Sequence, residues 1–272
     1  MEQNGGGHGP EMAPPGIFER VNNYYLLIYA LACFLMYYSV SGLLILGGQV
    51  VLSFIIPGVI SFVVPLFVLS RRFSLSFTGE YRLRAPTVPA AALVLLVSGS
   101  AILPVDAVSS FVETRWPPEA DYINFLLSIK PKGILGLVAI ASGTVVVSPF
   151  CEELLFRGFI QRIFQRNMTG TLAVLLSSAI FALCHFSVAM LPGIFLLGIV
   201  LGLFFLRTGN LAYPVLGHAL FNLVALARLH MASEEALRST EIAAPSMAWT
   251  SLSLVVLVLS IYTFMRLPHG GE

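Results

Sequence analysis

Runs of apolar residues, broken by Gly, Pro or charge, mark eight stretches near the length a helix needs to cross a hydrocarbon core, about 20 residues at a 1.5 Å rise. They cover Tyr24–Leu46, Val50–Leu69, Val88–Val112, Gly133–Phe150, Thr171–Phe186, Leu191–Leu206, Leu211–Leu229 and Met247–Met265. The pattern predicts an all-α fold, a polytopic membrane protein with about eight transmembrane helices. The fifth and sixth stretches fall short of a full crossing and suit a hairpin that does not traverse completely.

Composition agrees with this pattern. The chain is 57% hydrophobic and only 11% charged, whereas soluble domains carry roughly a quarter charged residues. Met1–Gly16, rich in Gly and Pro and holding Glu2 and Glu11, cannot bury a core and is expected as a disordered N-terminal tail. It lacks the basic start and short apolar region of a signal peptide. Residues 17–272 are expected to form a single transmembrane domain, since the connections are too short for a second one, with the chemistry concentrated at about 133–230.

Charge adds orientation. Alternating the segments puts Arg20, Arg71, Arg72, Arg82, Arg84, Arg157, Arg162, Arg166, Arg207 and Arg266 on one side, against Arg115, Lys130, Lys132, Arg228 and Arg238 on the other. Cytoplasmic loops retain Lys and Arg, so both termini are expected in the cytoplasm. A net charge of +1 offers no basic patch for nucleic acid. Cys33, Cys151 and Cys184 lie in or beside apolar stretches, as reduced buried thiols do. Gly198 and Gly202, four apart, predict close helix packing.

The informative residues are the ionisable ones in apolar surroundings, each costing about 2.5–3.5 kcal/mol at the bilayer centre on insertion scales. In Cys151-Glu152-Glu153-Leu154-Leu155-Phe156-Arg157, Glu153 and Arg157 share a helix face and should pair. Glu152 is turned about 100° away, which leaves it the freer carboxylate and the candidate general base. The competing reading is an interfacial charge cluster at a helix end. His218 and Asn222, four apart, could aim two donors at one developing oxyanion, or could simply bond neighbouring helices. His185 gains weight from this company, because a Glu and a His sharing one water form an activating pair for hydrolysis. Asp106 and Glu113 are further embedded or interfacial acids that could line the cavity, with solvation at a helix end the expected reading, and His8, His230 and His269 are given no role.

At these residues the sequence resembles the CAAX protease and bacteriocin-processing enzyme family, which includes the Ras-converting CAAX endopeptidase and abortive-infection-like bacterial proteins. Glu152-Glu153 with Arg157 matches E-E-x-x-x-R, Phe181 with His185 matches F-x-x-x-H, and His218 with Asn222 matches H-x-x-x-N. The resemblance runs from about Ser148 to Asn222. It implies a metal- and cofactor-independent glutamate peptidase in which Glu152 and His185 activate water, His218 and Asn222 hold the oxyanion, and Glu153 and Arg157 support them. The implied partners are the bilayer and a membrane-associated peptide or protein, with or without a lipid modification, and the expected location is a bacterial plasma membrane.

Other readings stay open. Glu152, His185 and His218 could be a zinc ligand set, although H-E-x-x-H is absent. A cysteine nucleophile is disfavoured because Cys151 neighbours two carboxylates, and no G-x-S-G occurs for a rhomboid-type serine site. A proton-coupled transporter or a membrane scaffold is the alternative outside enzymes.

Overall fold

The computed structural model describes residues 15–185, 187–238 and 244–267. The tail expectation therefore lies, apart from Pro15 and Gly16, outside the described residues, as do His8 and His269. Eight helices carry the fold: α1 (Asn23–Leu46), α2 (Leu52–Arg72), α3 (Val88–Glu113), α4 (Gly133–Gln165), α5 (Gly170–Leu183), α6 (Leu191–Thr208), α7 (Ala212–Met231) and α8 (Met247–Met265). No strand occurs among the described residues, and apolar side chains such as Leu31, Leu35, Leu96, Leu135 and Leu259 face outward. This is an integral membrane protein whose outer surface suits lipid.

The expected eight crossings become seven among the described residues. Helix α5, with 14 residues, spans only about 21 Å against a core of about 30 Å. Helix α6, read as short, reaches 18 residues and is stopped by Gly209, whose positive φ of 58° forms a left-handed cap. The largest difference is α4. The apolar count ends at Phe150, yet the helix continues unbroken to Gln165 over 33 residues. Charge ends an apolar run in sequence, but it does not end a helix whose charges are met by neighbouring helices.

Proline shapes two of these helices. Pro104, inside α3, has no N–H for the carbonyl of Ser100, four residues earlier. That acceptor is met from α8, where Ser253 Oγ donates to Ser100 O at 2.8 Å, so a broken bond in one helix becomes a tie to the next. In α4, Ser142–Val147 forms a wide π turn, and Ser148 N bonds Gly143 O, five residues back. The next N–H in that register belongs to Pro149, which has none. The Thr144 carbonyl is thereby left open, and such π turns recur at functional sites.

Gly198 and Gly202 pack as their spacing predicts. A Cβ on Gly198 would stand 2.9 Å from Ser178 Cβ on α5, and a Cβ on Gly202 would stand 2.9 Å from Val174 Cγ1. We expect Gly198→Ala to destabilise the purified protein by about 1–3 kcal/mol through overpacking. By contrast, Gly99→Ala on α3, whose Cβ meets nothing within 4 Å, should stabilise it by about 0.5–1 kcal/mol. Thermal midpoints in one detergent compare the two, and equal shifts would refute the packing role.

Candidate active site

Helix α4 presents Glu153, Arg157 and Gln161 on one fully buried face. Arg157 Nη1 donates to Glu153 Oε1 at 2.8 Å, both side chains being 0% exposed, which is the pair the spacing predicts. The guanidinium also donates through Nη2 to Gly198 O at 3.0 Å, and Gln161 Nε2 donates to Gly202 O at 3.1 Å. The two glycines thus do more than let helices approach. Without a Cβ they expose carbonyls to polar groups arriving four residues apart. Arg157, which charge alternation places with the cytoplasmic loop cations, is fully buried in the interior.

His218, on α7 and buried, has its Nδ1 2.8 Å from Glu153 Oε1. A carboxylate can only accept, so Nδ1 is the donor, and the ring is held with Nε2 3.9 Å from Glu152 Oε2. Sequence spacing did not foresee this bond between residues 153 and 218. Glu152, in turn, is gripped on its other oxygen by the hydroxyl of Ser148, which donates to Oε1. Ser148 was not singled out as a site residue, and its only signal was the four-residue step to Glu152 on the same helix face.

Asn222, one turn beyond His218, donates through Nδ2 to Thr144 O at 2.8 Å. This is the carbonyl that the π turn and Pro149 leave without a backbone donor. His185 follows the end of α5, where Cys184 N bonds Ile180 O and His185 N bonds Ala182 O. The Phe181 carbonyl between them is served by His185 Nδ1 at 2.8 Å. A carbonyl needs a donor, so Nδ1 carries a proton, and in the tautomer with that one proton the lone pair is on Nε2. The ring of Phe181 is the shared wall, edge-on to His185 at 4.8 Å and to His218 at 5.7 Å, with the Arg157 guanidinium 4.5 Å from its centroid.

A cavity of about 470 Å³ is lined by Glu152, Ser148, His185, Thr144 and Asn222. Much of the rest of its lining is aromatic, including Phe34, Tyr37 and Tyr38 of α1 and Phe125 of the short helix Ala120–Ile129. Sequence reading missed these rings, since aromatics in apolar helices carry no signal of facing a site. Tyr38 also donates its hydroxyl to Cys184 O. His185 is exposed in the structure, whereas His218 is sealed.

The histidine facing Glu152 is thus His218, while His185 shares its cavity. Among the described residues no three His, Cys, Asp or Glu side chains converge to hold a metal ion, and the three cysteines are free thiols. Asp106, expected to be solvated at a helix end, instead makes a two-pronged pair with Arg228 at 2.7 and 3.0 Å. A cation one helix away competes with water for it.

The fold and this buried centre define the class, an all-α integral membrane protein with a carboxylate–histidine core. Residues 134–224 match the family model described as type II CAAX prenyl endopeptidase Rce1-like. The match takes in every residue of the three motifs and bears out the resemblance. No curated protein and no solved structure was found to match the chain.

Proposed function

We propose that the chain is an intramembrane endopeptidase that hydrolyses peptide bonds with a Glu152-activated water. The observation that carries this reading is the convergence of Glu152, His185 and Asn222 on one cavity, with His218 Nε2 3.9 Å from Glu152 Oε2. Ser148 occupies Oε1, so Oε2 is the oxygen that takes a proton from water, with His185 Nε2 accepting the water's second hydrogen bond. The water oxygen attacks the scissile carbonyl carbon. The resulting oxyanion is met by the Asn222 amide and by His218 when its Nε2 also carries a proton. Collapse breaks the C–N bond, and Glu152 returns its proton to the leaving amine.

Glu153 and Arg157 act through His218. The carboxylate orients the imidazole, and the guanidinium balances that carboxylate where no water reaches it. The substrate class we assign is a membrane-associated peptide, with or without a lipid modification, whose apolar part fits the aromatic wall. The arginine distribution supports both termini in the cytoplasm, and a bacterial plasma membrane is the location we favour.

The test is cleavage of a panel of membrane-associated fluorogenic peptides, lipid-modified and plain, by wild type and Glu152→Gln, each with and without a strong chelator. Cleavage that depends on Glu152 and survives chelation supports the glutamate mechanism. Loss under chelation points to zinc instead, and no wild-type cleavage points to a transporter or scaffold.

A further inference from the structure

Glu152 lines the aromatic cavity but not the cavity on the far side of the centre, whereas His218 lines the far cavity but not the aromatic one. His185 and Asn222 border both. The far cavity, about 330 Å³, is walled by α3, α6 and α7, with Phe181 of α5 also lining it. On α3, Asp106, Ser109 and Glu113 recur at steps of three and four residues, the period of one helix face. On α7, His218, Asn222, Ala225 and Arg228 do the same. All seven line the cavity, six of them polar, beside apolar residues such as Ile102, Val105, Ile194 and Leu197, and the polar six run from the His218 imidazole to the half-exposed Arg228.

An Asp–Arg pair that only clamped two helices would be expected in packed contact, without a void beside it. Here the pair borders a space large enough for on the order of ten waters at ~30 Å³ each. Ionisable side chains at membrane depth commonly line water-filled paths. Each hydrolysed bond consumes one water, and the aromatic cavity, when filled by an apolar substrate, cannot deliver it. We infer that the α3–α7 cavity is the water route to the centre, entering beside the Asp106–Arg228 pair and reaching Glu152 past His218 and Asn222, while the aromatic cavity takes the substrate. This inference rests on the peptidase reading.

Two measurements test it. In the full-length chain with Cys33, Cys151 and Cys184 replaced by Ala, Ser109→Cys and Ala225→Cys are exposed to a charged methanethiosulfonate reagent that needs an ionised thiol. Leu96→Cys, on the exposed apolar face of α3, is the lipid-facing control. Both cavity thiols should react at the rate of an aqueous thiol while the control stays unmodified. In the natural cysteine background, Ser109→Trp should lower kcat at least about tenfold with KM unchanged, the pattern of a lost reaction step rather than lost binding.

A Ser109→Cys thiol as inert as the control, or a Ser109→Trp enzyme with wild-type kcat, overturns the water route while peptide cleavage stands. Absence of cleavage by the wild type overturns the peptidase reading itself, and the labelling reports on the cavity in either case.

Discussion

Glu152→Gln is expected to lower kcat for peptide cleavage about 10³-fold, within the range for losing a general base, while the thermal midpoint stays at the wild-type value. The substitution conserves shape, and the amide oxygen can still accept from Ser148, which binds Glu152 Oε1 in the native chain. What disappears is the oxygen proposed to take a proton, the one facing His218 Nε2 at 3.9 Å. Glu152 is 16% exposed, and Arg157 keeps its hydrogen-bonded partner Glu153 at 2.8 Å when the Glu152 charge is removed. A kcat within tenfold of wild type would eliminate Glu152 as the base and leave the cavity without one on the α4 side.

Arg157→Met should have the largest effect on stability. Glu153 and Arg157 are both 0% exposed, and Glu153 Oε2 has no hydrogen-bond partner. Removing the guanidinium takes the counter-charge from a buried carboxylate and leaves it the His218 Nδ1 donor, at a cost of about 3–5 kcal/mol for breaking such a pair on one side. It also strips the donor from Gly198 O. Replacing both residues, as Glu153→Leu with Arg157→Met, should recover most of the loss, because an apolar pair of similar volume incurs no desolvation.

Activity should not follow stability in the double variant. His218 Nδ1 would lose the acceptor that fixes its ring, and misplacement of a catalytic group by about 1 Å can cost about 10²-fold. Thermal midpoint and kcat, measured on the same detergent-purified samples, separate the two roles. A double variant that regains full turnover would reduce the pair to scaffolding.

Much of this molecule is legible in one dimension. The apolar runs located the helices because a lipid-facing helix must be apolar along its whole length. The Glu153–Arg157 pair and the glycine spacing at 198 and 202 were readable because helical neighbours lie four residues apart whatever surrounds them. The limits of α4 were not, since an apolar count cannot distinguish a charge that ends a helix from one that another helix satisfies.

What the sequence determined by itself was the set of helices, their local pairings, and the three short motifs that placed the chain beside a peptidase family. Only the tertiary structure decided which groups meet. It set His218 against Glu153 and Glu152, aimed Asn222 at the carbonyl freed by Pro149, drew Arg228 onto Asp106, and ringed the cavity with Tyr37, Tyr38 and Phe125. The physical reason is that these contacts join residues tens to more than a hundred positions apart. Helix crossing and rotation decide them, and no local period along the chain encodes either.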